Sequence, residues 1–152
     1  MYNRNLWLLT LSQIFGFSAA TVNVFLGGII GSQLISIKAL STLPLALFIV
    51  GTASCTVFAS YIMSKFGRKF GFISASIASS LSSLLAAYSI SIESFVFFCI
   101  SCLLMGMGLA FVAQYRFAAS ESVEKEKIPK AISMILLAGI ASAFIGPNIA
   151  NL

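Results

Sequence analysis

The 152-residue chain has no histidine and no aspartate, and its four acidic residues are all glutamates: Glu93, Glu121, Glu124 and Glu126. Without His or Asp there is no Ser-His-Asp triad, no imidazole metal site and no paired-aspartate chemistry. Charge of either sign is scarce. Only 9% of residues are charged, against about 25% in an ordinary soluble domain. Chemistry based on Glu, Lys or Cys survives this filter, but the apolar runs hold no His, Asp or Glu that could act as a general base. The chain is therefore read as a non-enzyme without a cofactor.

What fills the space is hydrophobic: 59% of residues are apolar, and the mean hydropathy is +1.04. The apolar residues fall into five runs, at residues 6–30, 43–63, 70–90, 95–117 and 131–152. A helix crossing a hydrocarbon core of about 30 Å needs about 20 residues, and each run reaches that length. None shows the alternation of a membrane β-strand. The sequence predicts an all-α, polytopic membrane protein: a single bundle over residues 1–152, with five transmembrane helices. A secretory signal would have an apolar segment of only about 7–15 residues, so the first run is read as an uncleaved helix.

The net charge of +5 follows from nine Lys and Arg against the four glutamates. Placing the N-terminus in the cytoplasm puts Arg4, Lys65, Arg68, Lys69, Lys125, Lys127 and Lys130 inside and only Lys38 outside. That asymmetry is the positive-inside pattern, and it predicts a multi-pass protein of the cell (inner) membrane with a cytoplasmic N-terminus. The cations then face anionic lipid, and the bilayer is the expected partner. No patch interleaves cations with stacking aromatics, so nucleic acid is not expected.

Small residues let membrane helices approach closely. Ala75, Ser79, Ser83 and Ala87 form a four-residue stripe on the third run, and Gly51, Cys55 and Ala59 one on the second. Gly27 and Gly31 close the first run, while Gly106 and Gly108 lie in the fourth. Cys99-Ile-Ser-Cys102 spells a CxxC within a span and has no second pair, which favours packing over metal or redox use.

Polar groups within spans are more informative. Gln13, Gly16, Phe17, Ala20, Asn23 and Gly27 share one helical face. An amide in hydrocarbon needs protein or a wet cavity beside it, so Gln13 and Asn23 are either solute contacts or interhelical hydrogen-bonding groups. Gln114 and Arg116 close the fourth run. Arg116 either snorkels to phosphate or stands at the mouth of a solute path, paired with Glu121 or with an anionic substrate. The connector Glu121–Lys130 is read as a solvated loop. Its i,i+4 pairs, Glu121 to Lys125 and Glu126 to Lys130, favour a short helical stretch, and Pro129 suits the first turn of the next helix.

Between the second and third runs lies Met63-Ser-Lys-Phe-Gly-Arg-Lys-Phe-Gly71, a short turn with three cations. It resembles the signature loop of the major facilitator superfamily, G-x-x-x-D-R-x-G-R-R/K. Gly67, Arg68 and Lys69 match its later half, and Lys65 stands at the first basic position. Ser60 replaces the first Gly and Ser64 the Asp. The fifth run carries Gly146-Pro147, similar to the family's G-x-x-x-G-P motif, with Ser142 at the leading Gly and Ala150 at the trailing one. The family's Arg at the head of helix four would fall at Cys102 and is absent.

The resemblance implies the first five of twelve helices of a secondary transporter, in which two six-helix halves rock around a central site. It implies transport of a small solute, with efflux as one candidate direction. The missing C-terminal transporter helices, if encoded separately, are then an expected partner, and a truncated chain is expected not to transport alone. In that setting Arg68 is expected to hold the inner ends of helices two and four, with Glu121 as its acidic partner. The alternative is a small stand-alone scaffolding or assembly protein that does not transport.

Overall fold

The computed structural model describes residues 4–150, without the side chains of residues 147, 149 and 150. The end of the fifth predicted run, at Leu152, lies outside the described residues. Six α-helices follow one another: α1 (Arg4–Leu34), α2 (Leu43–Phe66), α3 (Arg68–Ser91), α4 (Phe95–Val112), α5 (Tyr115–Glu121) and α6 (Ile128–Ala150). Single 3₁₀ turns occupy Lys38–Leu40 and Lys125–Lys127. Five stretches are long and apolar enough to cross a membrane, and α4 with α5 makes up the fourth. The chain is a polytopic helical membrane protein. Large apolar side chains such as Phe15, Val57 and Phe144 point outward. In lipid an outward apolar belt is the solvated state, since hydrocarbon is the solvent.

The helices meet where side chains are smallest. At the α2–α4 crossing, a Cβ on Gly106 would run into the Phe48 carbonyl, and one on Gly51 into the Leu103 carbonyl. The hydroxyl of Thr52 donates across this contact to the Gly106 carbonyl at 3.0 Å. Gly108 lies against the side-chain hydroxyl of Ser79 of α3. On the other side of the bundle, Gly146 of α6 lies against Thr21 and the Ser18 carbonyl of α1.

The α3 stripe does not run straight. Gly71, Ala75, Ser82 and Ser89 are buried, whereas Ser83 and Ala87 are exposed. Residues four apart advance about 40° beyond a full turn, so a strict four-residue row drifts off a contact face within three steps. The buried row mixes steps of four and seven, as helices crossing at a shallow left-handed angle require.

The two ends of the bundle differ. One end carries the α2–α3 turn and the segment between α5 and α6; we call it the turn end. The far end carries residues 35–42 and 92–94. At the turn end there are two separate cores. Ala59, Met63, Ala75, Ala110 and Phe111 join α2, α3 and α4, while Leu6, Ala119, Ala131 and Ile135 join α1, α5 and α6. Toward the far end a single cluster spans both groups: Phe48, Phe98 and Cys102, with Ala20, Ile30 and Leu34 of α1 and Ala86 of α3 packed on it.

Candidate functional site

Gly67 makes the α2–α3 turn alone. Its φ of +85° lies in the left-handed region open to glycine. Its N–H donates to the Met63 carbonyl at 3.1 Å, ending α2, and its carbonyl accepts from Gly71 at 3.2 Å, starting α3. One residue suffices for the turn, which is why both helices run closer to it than the apolar pattern suggests.

This tight turn fixes Arg68 at the head of α3. Its guanidinium donates from Nε to Glu121 Oε2 at 2.5 Å and from Nη2 to Glu121 Oε1. Two parallel bonds between a planar cation and a carboxylate form the bidentate geometry that distinguishes Arg from Lys. The pair crosses from α3 to the last residue of α5. Arg68 is partly buried and Glu121 is exposed. Lys65 lies over the Phe66 ring at 5.6 Å, and Lys69 is exposed.

Beneath the pair is a cleft of about 620 Å³ lined by Ser60, Ser64, Arg68, Gln114, Phe117 and Glu121, among others. Gln114 is buried, at the point where α4 gives way to α5. The Gln114 N–H donates three residues back, to Phe111, and the Phe117 N–H three residues back, to Gln114. The helix is thus tightened into 3₁₀ geometry there. The sequence pattern places the fourth span at 95–117; the structure carries that span as α4 followed by α5, through Glu121. Ala113 and Gln114 are ordinary helix formers, and directly after the break Tyr115 is seated against Phe72 of α3 at a ring separation of 4.5 Å.

Arg116 turns outward, stacked over Phe117 at 5.0 Å, and the carboxylate of Glu121 is held by Arg68. The connector departs from expectation for a related reason. α5 ends at Glu121, and Glu124 is extended at ψ 150°, so the i,i+4 register needed by Glu121 and Lys125 is broken. Glu124 pairs instead with Lys127 at 2.5 Å, whose hydrogen bond and charge hold its carboxyl below the usual range. Pro129 stands in the first turn of α6.

The amide-bearing face of α1 is divided among its neighbours. Gln13 is buried beside Gly139 of α6, and its Oε1 has no hydrogen-bond partner, nor has the nearby Ser18 hydroxyl. Gly16 packs on Val112 of α4, and Asn23 Oδ1 accepts weakly from Cys102 Sγ at 3.8 Å. A second opening of about 410 Å³ lies between α1, α3 and α4, lined by Ser12, Gly16 and Ala20 on one side and Ser76, Ser80 and Ser83 on the other. Neither Gln13 nor Asn23 lines it. The hydroxyls of Ser76, Ser80 and Ser83 donate to carbonyls of their own helix. The sequence pattern singles out Ser83 only as a small packing residue and does not single out Ser76 or Ser80; their recurrence on one side of an apolar run is the signal that finds them. Gly146 lies at the α1–α6 crossing, and α6 continues through Pro147, whose side chain lies outside the described ones.

The chain is similar over nearly its whole length to known membrane proteins. It is 34% identical over 146 residues to the riboflavin transporter RfnT of Brucella anthropi, covering 96% of this chain and 37% of that protein. It is 27% and 26% identical over 151 residues to the MFS-type transporters YdeG and YddS of Bacillus subtilis, covering 99% of this chain and 35% of each. The chain thus spans about a third of the length of the curated relatives it matches. No family model matches it. No solved structure matches it.

Proposed function

We propose that this chain, a homologue of the major facilitator transporters that corresponds to their N-terminal portion, forms five helices of a secondary transporter for a small solute. The observation that carries the reading is the end-to-end likeness to transporters, over 96% of the chain in the case of RfnT. The bidentate Arg68–Glu121 pair supports it, because it ties the one-residue turn between α2 and α3 to the end of the fourth span.

In this reading the turn end is cytoplasmic, where Lys65, Lys69, Lys125 and Lys127 meet anionic lipid. The solute path runs through the opening lined by Ser12 of α1 and Ser76, Ser80 and Ser83 of α3, with Gln13, Asn23 and Gln114 as polar groups held within the bundle beside it, Arg116 facing outward and Gly146-Pro147 at the outer part of the fifth span. No carboxylate lies in mid-span, so a coupling proton would be carried by groups on other helices.

The test is uptake and efflux in cells producing the chain with and without the remaining helices of such a transporter. Riboflavin, the solute named for the Brucella anthropi relative, is the first of a labelled panel. Saturable transport that appears only with the added helices supports the proposal. No transport of any solute with the helices added, together with stable recovery of the chain in a complex with another membrane protein, favours the scaffolding alternative.

A further inference from the structure

Two glutamines of the bundle are buried, and they differ in what lies beside them. Gln13 Oε1 is sealed at the α1–α6 contact without a partner. Gln114 is only 8% exposed, and its amide makes no hydrogen bond among the described residues. Yet that amide is not one of the sealed polar groups. Gln114 lines the cleft of about 620 Å³ at the turn end, so the cleft is where its amide finds room. A buried amide without a protein partner is costly unless water or a ligand satisfies it.

The cleft has the size of a small-molecule site, which is commonly about 300–1,000 Å³. Its other polar groups are mainly hydroxyls. Ser60 and Ser64 stand one turn apart on α2, and Ser120 stands opposite on α5. Ser64 donates to the Tyr61 carbonyl and Ser120 to the Phe117 carbonyl, each at 2.8 Å. Both hydroxyls therefore offer the cleft only lone pairs. Met63 and Phe117 supply an apolar wall. The two charges at the rim, Arg68 and Glu121, are committed to each other. An entering anion would set two negative groups against one guanidinium, and a cation would compete with Arg68 for one carboxylate. An uncharged ligand meets neither conflict.

We propose that the turn-end cleft binds an uncharged ligand carrying a donor beside an acceptor on one edge (a lactam, imide or carboxamide), held by the Gln114 amide through two parallel hydrogen bonds. A primary amide presents a carbonyl and an N–H side by side in one plane. The same pairing lets a glutamine hold the edge of adenine. The body of the ligand then lies against Met63 and Phe117. The inference deepens the transporter reading and rests on it for the ligand's role, a solute halted at the cytoplasmic end of its passage.

The test reads binding, not transport. The full chain in phosphatidylcholine nanodiscs is titrated with isocarbostyril, a flat uncharged lactam, and binding is followed by ligand-observed NMR against empty nanodiscs. N-methylisocarbostyril keeps the ring and carbonyl but loses the donor, and should bind at least about tenfold more weakly. Naphthoate, an anion of similar size, should not exceed the lipid background. Gln114→Met keeps the length of the side chain without its amide and should weaken the lactam by about tenfold. If that chain does not fold, Ser60→Phe, at an exposed position on the cleft wall, should abolish binding by filling the space. Absence of lactam binding, equal affinity for the N-methyl compound, tighter binding of naphthoate, or indifference to both substitutions would overturn the site. Binding that vanishes when phosphatidylethanolamine is added to the nanodiscs would give the cleft to a lipid headgroup and overturn it as well. Each of these failures leaves the transporter reading standing, and a completed protein that moves no solute leaves these affinity ratios unchanged.

Discussion

Arg68, the first residue of α3, and Glu121, the last of α5, are 53 positions apart in sequence and joined by two parallel hydrogen bonds. Each residue ends a helix, and each is placed by a local backbone event: the positive-φ Gly67 on one side, the helix break at Ala113–Gln114 on the other. The pair therefore couples two turns more than it couples two helix faces. The energy involved is small. An ion pair this open to solvent is worth about 0.2–1 kcal/mol, enough to bias a conformation and too little to hold a fold.

The first prediction follows from that size. Arg68→Ala and Glu121→Ala should each lower the stability of the chain by no more than about 1 kcal/mol, yet each should impair transport by the completed transporter. The double variant should be no worse than the more severe single one, because both remove the same interaction. Additive losses in transport would show that the two residues act separately.

A much larger effect is expected at the α2–α4 crossing. Gly106→Val places two methyl groups where the Phe48 carbonyl sits, and backbone does not yield as a side chain tip does. Overpacking of this kind costs about 1–3 kcal/mol, and more where backbone must move. The variant should be recovered from membranes at much lower yield and melt earlier than the unsubstituted chain. Wild-type yield and melting for Gly106→Val would show that the crossing is looser than described.

Gln13 should respond in the opposite direction. Its Oε1 is buried without a partner, and an unsatisfied buried acceptor costs about 1–3 kcal/mol. Gln13→Leu keeps similar bulk and removes the orphan, so it should be neutral or stabilising in a thermal or denaturant assay of the chain. If Gln13 also contacts solute, the same variant should lose transport in the completed protein. Destabilisation by Gln13→Leu would mean that the amide has a partner, such as a buried water.

The contrast between these sites shows how much the sequence carried. The five spans were legible because apolar length is set by the bilayer, whatever the helices later touch. The Arg68–Glu121 pair was legible only through the resemblance of the turn to a family loop. The break at Ala113–Gln114 was not, since neither residue disfavours helix. The face holding Gln13 and Asn23 was visible as a polar stripe. What it faces was not, because one stripe on α1 meets α6, α4 and α2 in turn along its length. The i,i+4 charges of the connector misled, because a pair across a helix face needs the helix to continue, and α5 stops at Glu121.

Orientation has its own test. With a cytoplasmic N-terminus, Ser36 between α1 and α2 lies outside and Ser122 after α5 lies inside. Cysteine placed at position 36 should react with a membrane-impermeant maleimide on intact cells, and cysteine at position 122 only after the membrane is opened. Labelling of position 122 on intact cells would invert the topology and with it the assignment of the turn end to the cytoplasm.

The last prediction concerns the 152-residue chain by itself. Alternating access needs two bundles that move against each other with the site between them. Five spans present the Ser12 and Gly16 side of α1 and the Ser76–Ser80–Ser83 side of α3 with no opposing bundle. The opening between them, about 410 Å³, has no second bundle to close over it, so nothing commits a solute there to one side of the membrane. Purified chain reconstituted into liposomes, its insertion checked by the position 36 and 122 labels, should therefore show no saturable uptake of any solute in the panel. Supplying the remaining helices should confer uptake under the same conditions. Saturable, solute-specific uptake by the chain alone would require several copies to assemble the missing wall, and would replace the two-bundle reading with a homo-oligomeric carrier.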